Sequence, residues 1–80
     1  MSTVKRLGDL HKGQLGTITT IHEGPTGLAQ RLMEMGFVEG NEVLVLLEAP
    51  FGKDPIAVRV RGAILALRRQ EANLVEVTLK

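Results

Sequence analysis

Eighty residues without a cysteine make one domain, residues 1–80, near the lower size at which an apolar core alone sustains a fold, and they exclude a disulfide framework. The formal net charge of +1 excludes a nucleic-acid binder that works through bulk positive charge. Two phenylalanines, with no Trp and no Tyr, leave almost nothing for bases to stack on, so Leu, Val, Ile, Ala and Met must fill the core.

The N-terminal Met1-Ser2-Thr3-Val4-Lys5-Arg6 has no apolar segment behind its charges, so no secretory signal is read there. Leu7-Gly8-Asp9-Leu10 reads as an opening turn with Leu7 and Leu10 as apolar anchors. The first strand is expected over Gln14–Ile21, where Thr17, Ile18, Thr19, Thr20 and Ile21 favour extended backbone. Gly24-Pro25-Thr26-Gly27 ends it, and Thr26 is the expected N-cap of a helix over about residues 27–35.

Leu28, Leu32 and Met35 share one face of that helix and are assigned to the core, with Met33 beside the stripe. Gly36 suits the left-handed residue after the last turn, which places Phe37 to pack back on Leu32. Val38–Asn41 is a turn. Val43–Leu47, the longest uninterrupted apolar run, reads as a strand covered on both faces and is far short of the roughly 20 residues that span a bilayer.

Ala49-Pro50-Phe51-Gly52 fits a type I turn, and Pro55 stiffens the exit of its loop. Ile56–Val60 and Ala63–Leu67 form a hairpin about Arg61-Gly62. Arg68–Asn73 makes a short helical turn, and Leu74–Leu79 alternates as the last strand. Five short strands and one inserted helix point to a small closed β-barrel, which would leave no free sheet edges.

The order of these segments resembles the FeoA family. The resemblance rests on Leu7…Leu10…Gly13, Leu32-Met33-Glu34-Met35-Gly36-Phe37…Gly40, and Ala49-Pro50…Gly52…Asp54-Pro55-Ile56. It continues through Val58…Val60-Arg61-Gly62…Leu65-Ala66-Leu67-Arg68 to Glu71-Ala72…Leu74-Val75-Glu76-Val77. Met35 and Phe37 stand where the family more often has smaller aliphatic residues. The resemblance implies an SH3-like barrel, a cytoplasmic location and an accessory or regulatory role beside FeoB, the membrane ferrous iron transporter with a cytoplasmic GTP-binding domain. It implies neither an enzyme nor a membrane-embedded protein.

Candidate contact residues follow from both readings. Phe51, between Pro50 and Gly52 and close to Lys53, is a candidate apolar anchor for a partner. Met33 is a candidate adaptable surface residue at the helix edge. Arg59, Arg61, Arg68 and Arg69 form a basic strip that would meet an acidic surface, weighed against a solvated face balanced by Glu71 and Glu76. An arginine finger aimed at nucleotide would have only Arg61 on a turn.

His11, His22 and Glu23 lack the convergent spacing of a metal site, so no metal ligand and no cofactor is assigned. No cysteine nucleophile, phosphate-binding glycine loop or paired carboxylate provides for catalysis. The alternatives are a nucleic-acid-binding barrel, favoured by the arginines and opposed by the near-neutral charge, and a peptide-binding barrel, opposed by the lack of aromatics.

Overall fold

The β-branched and alternating runs become strands that pair only with neighbours of opposite direction. In the computed structural model, which describes residues 3–80, they are β1 (Val4–Arg6), β2 (Leu15–Ile21), β3 (Glu42–Glu48), β4 (Ile56–Val60), β5 (Ala63–Leu67) and β6 (Val75–Leu79). Two short helices, α1 (Leu28–Glu34) and α2 (Arg69–Ala72), and a 3₁₀ turn at Leu7–Asp9 complete the chain. The strand order is β1-β6-β2-β3-β4-β5, antiparallel throughout.

Six strands form where five were expected. Val4–Arg6 is exposed along its whole length and carries no alternation, so only its pairing with Glu76–Thr78 marks it as a strand. The hydrogen-bonded ladder is also not closed. It ends at β1 on one side and β5 on the other, so the barrel keeps two edges.

Inward-facing valines and isoleucines of the strands pack with Leu7, Leu10, Leu32 and Phe37 into one core that contains no charged side chain. Leu7 and Leu10 anchor the opening turn as expected. Phe37, fully buried and one of only two aromatics, contributes about 2–3 kcal/mol by leaving water.

Strand β3 corrects the expectation of a segment covered on both faces. Val43 and Val45 are buried, Leu44 and Leu46 are half-buried, and Leu47 is 57% exposed. The cause is a register shift between Val45 and Leu47. Val45 pairs with Val58 and Leu47 with Ala57, so Leu46 is the extra residue of a bulge. Because side chains alternate along a strand, one extra residue exchanges the faces beyond it. Leu47 is turned out with Ala57, and Glu48 is turned in opposite buried Ile56.

Helix α1 ends as the sequence indicates. Gly36 adopts φ of +109°, its N–H donates to Met33 O at 3.0 Å, and Phe37 N–H donates to Leu32 O at 3.0 Å. The start differs: Gly27, at φ of +83°, occupies the cap position that Thr26 was expected to fill, and no side chain caps the helix. Met35 also departs from the core assignment and is 37% exposed, because Leu32 and half-buried Leu28 suffice to seat a helix of seven residues.

The Arg61-Gly62 hairpin turn is present, with φ of +51° and +81°, the pair of positive angles that a two-residue type I′ turn requires. The loop turn at Pro50 is not type I. Phe51 has φ of +62°, and a positive angle at the third position belongs to type II.

Gly8 lies under α2 with no room for a side chain: a Cβ there would meet Asn73 Oδ1 and the carbonyl of Arg69. Gly8→Ala is therefore expected to lower stability by about 2–3 kcal/mol by pushing α2 off the opening turn. Urea unfolding of the two proteins measures this. A loss below about 0.5 kcal/mol would show that α2 moves aside freely.

Candidate functional site

The loop that leaves the bulged end of β3 is built by Arg69. Its backbone N–H donates to Asp54 Oδ1 at 2.9 Å and its Nε donates to Lys53 O at 2.8 Å. The guanidinium reaches across to the opening turn, with Nη1 donating to Gly8 O at 2.9 Å and Leu10 O at 2.7 Å. Nη2 meets Glu48 Oε2 at 2.6 Å. Ala49 N–H to Pro55 O, at 3.0 Å, closes the base of the loop. Arg69 was grouped with the basic strip on the sequence; it is instead an internal clamp with its charge already matched.

Glu48 is the acid of this cluster. Its pKa is lowered from 4.5 to about 2, first by the hydrogen bond from Lys12 N–H (2.9 Å) and then by the His11 ring, whose Nδ1 lies 3.1 Å from Oε2. Two further acids at this end are engaged: Asp54 holds Arg69 N–H and Glu71 accepts Arg68 N–H at 2.9 Å, while at the other end of β3 Glu42 pairs with Lys80 at 2.9 Å.

On this frame Phe51 is 100% exposed and projects from the loop tip with Lys53, itself exposed at φ of +59°. Below it an apolar trough of about 360 Å³ is lined by Leu47, Ala49, Pro50, Pro55, Ala57 and Ala66. Leu47, Ala57 and Ala66 stand side by side across β3, β4 and β5, and the next outward row is Leu44, Arg59 and Ile64, the last 64% exposed.

The residues singled out on the sequence divide into two groups. Pro50, Phe51, Lys53 and Arg68 lie at the loop end of the β4–β5 hairpin, since Leu67 pairs with Ile56. Arg61 lies at the other end, about 16 Å away along β4. There it shares a shallow groove of about 310 Å³ with Met33, Met35 and Val38, while Arg59 sits between the groups. Arg59, Arg61 and Arg68 are exposed, and among the described residues none of their side chains joins an ion pair. Of the two acids expected to balance them, Glu71 accepts Arg68 N–H and Glu76 is held elsewhere, facing His22 Nε2 at 3.0 Å and Arg6 at 3.8 Å.

Leu47, Ile64, Ala57 and Ala66 were not singled out on the sequence. The run Ala63–Leu67 carries a legible signal, apolar residues at positions of both parities beside a turn, but the outward turn of Leu47 depends on the bulge. His11 and His22 each meet one carboxylate, and among the described residues no group of three or more metal-ligating side chains converges. Nor is any helix among the described residues long and apolar enough to cross a membrane.

Fold and surface together define a small SH3-like barrel that offers an apolar trough and unpaired cations. The FeoA domain profile matches residues 5–79, and the chain belongs to the FeoA family, which is associated with ferrous iron transport. A Porphyromonas gingivalis relative, an Fe(2+) transport protein A/Fe(2+) transporter FeoB fusion protein, is 38% identical over 74 residues, 92% of this chain. The chain spans only 8% of that relative's length. Among solved structures, FeoA of Stenotrophomonas maltophilia complexed with zinc is 32% identical with a TM-score of 0.79, covering 96% of this chain and 88% of that one. A FeoA-like protein from Clostridium acetobutylicum is 30% identical with a TM-score of 0.84, covering 99% and 90%. A manganese-dependent transcriptional repressor shares the fold alone, at 19% identity and a TM-score of 0.84 over 44% of its chain.

The lowered Glu48 carboxyl, held by Lys12 N–H and the His11 ring, sets an expected pH dependence. A carboxylate held below its ordinary value stabilises the fold fully above pH 4.5, and that contribution fades as pH falls from 4.5 toward 2. Glu48→Gln is expected to unfold at lower urea at pH 7 and to lose less stability than the parent between pH 4.5 and 2. Equal losses for the two proteins over that range would remove Glu48 as the responsible group. Arg69→Ala, which strands three carbonyls, is expected to cost about 2–4 kcal/mol at neutral pH.

Proposed function

We propose that this protein is a cytoplasmic accessory component of ferrous iron uptake that docks on the cytoplasmic GTP-binding region of a FeoB-like transporter. The observation that carries the reading is Phe51, a fully exposed aromatic held out by a loop whose base is clamped by Arg69. A large apolar side chain on so well-tied a loop loses little entropy when a partner covers it. The Porphyromonas gingivalis fusion protein, which joins a region similar to this chain to a FeoB transporter, supports the choice of partner.

The contact surface comprises Pro50, Phe51 and Lys53 at the loop, Arg59 and Arg68 on the hairpin, and Met33 with Arg61 at the helix groove. The protein acts by binding and not by catalysis. Regulation of the partner then requires that this surface bind its states with unequal affinity.

Phe51→Ala is expected to leave the unfolding midpoint within error, because the ring covers no core residue. It is expected to weaken binding to the purified GTP-binding region at least tenfold, measured by titration calorimetry. Unchanged affinity for both Phe51→Ala and Met33→Ala would falsify the proposed surface.

A further inference from the structure

We infer that β5 is a docking edge for an acidic extended protein segment, which adds to the sheet as a seventh strand beside Ala63–Leu67. The inference deepens the docking reading above and rests on it. It starts from the open ladder. β5 ends the sheet, and among the described residues it pairs with β4 alone.

The two-residue turn makes Val60 and Ala63 a hydrogen-bonded pair, and alternation makes Val58–Leu65 and Ile56–Leu67 bonded pairs as well. The N–H and C=O of Ile64 and Ala66 therefore point away from β4. No other backbone or side-chain group among the described residues bonds to them. Exposed edges are ordinarily protected by lysine, proline, a bulge or a covering element. The segment Ala-Ile-Leu-Ala-Leu has no lysine, proline or bulge, and both Ile64 and Ala66 are exposed.

Charge selects the occupant. Lys53, Arg59, Arg61 and Arg68 are exposed around this edge and its outward face, and among the described residues none is in an ion pair. The acids that share their surroundings are Glu34 in the helix groove, Glu42 beside Arg59 and Arg61, Asp54 next to Lys53, Glu48, on whose carboxylate Lys53 acts, and Glu71, which accepts Arg68 N–H. Glu42 is paired with Lys80, Glu48 with Arg69, and Asp54 holds Arg69 N–H. A second copy pairing β5 against β5 would place arginines against arginines, which disfavours a homodimer through this edge. Nucleic acid would use the cations but leave Ile64, Leu47 and the trough uncovered. A strand that alternates carboxylates with aliphatic side chains satisfies the backbone edge, the apolar row and the arginines together.

The test uses the full chain, ¹⁵N-labelled, with a soluble acetylated peptide of alternating Asp or Glu and Val as probe. At saturation, amide exchange at Ile64 and Ala66 is expected to slow at least tenfold, with little change at Ala63, Leu65 and Leu67. Ala66→Pro removes an outward N–H without touching the β4 pairing, and it is expected to keep the circular dichroism spectrum while weakening peptide binding at least tenfold. The double variant Arg59→Glu, Arg68→Glu is expected to weaken it as much, and 0.5 M NaCl to weaken it severalfold.

No saturable binding, or binding without protection of Ile64 and Ala66, overturns the inference. So does a single-stranded DNA 12-mer that binds more tightly than the peptide. The same exchange measurement on the complex with the transporter's GTP-binding region separates the two proposals. A complex that leaves Ile64 and Ala66 unprotected refutes the edge and preserves docking, whereas absence of any complex refutes docking itself.

Discussion

The contact on which the architecture turns is the Arg69 guanidinium against Glu48. A barrel of this size has a single small core, and its two ends must be closed by loops whose carbonyls would otherwise face each other without donors. Arg69 supplies those donors to the opening turn through Gly8 and Leu10 and to the Pro50–Pro55 loop through Lys53. The planar fork is suited to several carbonyls and a carboxylate at once, which lysine cannot match. Glu48 keeps the fork in place, and its own second oxygen is held by Lys12 N–H. The opening turn, the Pro50–Pro55 loop and α2 are thus fixed by one side chain, and the position of Phe51 follows from that clamp.

The bulge at Leu46 is what brings Glu48 to Arg69. Without the extra residue Leu47 would continue the inward series of Val43 and Val45, and Glu48 would face solvent. One inserted residue therefore has two consequences of opposite kind. It delivers a carboxylate to the closing cluster, and it exposes a leucine beside Ala57 and Ala66. The structural clamp and the apolar trough are two sides of one backbone irregularity, so evolution cannot tune the first without moving the second.

This coupling also explains what the sequence reveals and what it hides. The Gly36-Phe37 helix ending, the Arg61-Gly62 turn and the buried anchors Leu7 and Leu10 are local devices, written within a few residues, and all are legible. Strand β1 is hidden because three exposed residues acquire their structure only from β6. The apolar run Val43–Leu47 reads as buried because composition carries no sign of a bulge. Arg68 and Arg69, identical in type and adjacent, have different fates: the residue inside the first turn of α2 points to the barrel end and the one before it to solvent. Phe51 is legible as a loop-tip aromatic, but the trough beneath it requires the register of three strands.

The near-neutral total charge conceals an uneven use of the ionic groups. Glu42, Glu48, Asp54 and Glu71 are each occupied by a neighbour, whereas Lys53, Arg59, Arg61 and Arg68 join no ion pair among the described residues. At physiological ionic strength such charges act over only about 8 Å, so they steer and register a partner more than they hold it. Holding falls to the apolar residues. Covering Phe51 alone yields about 2–3 kcal/mol, whereas driving a two-state partner from one state almost wholly to the other takes about 5.5 kcal/mol of differential binding. An accessory domain that governs a partner through this surface must therefore engage the loop tip, the Leu47–Ala57–Ala66 row and the β5 edge together in one state and release most of them in the other.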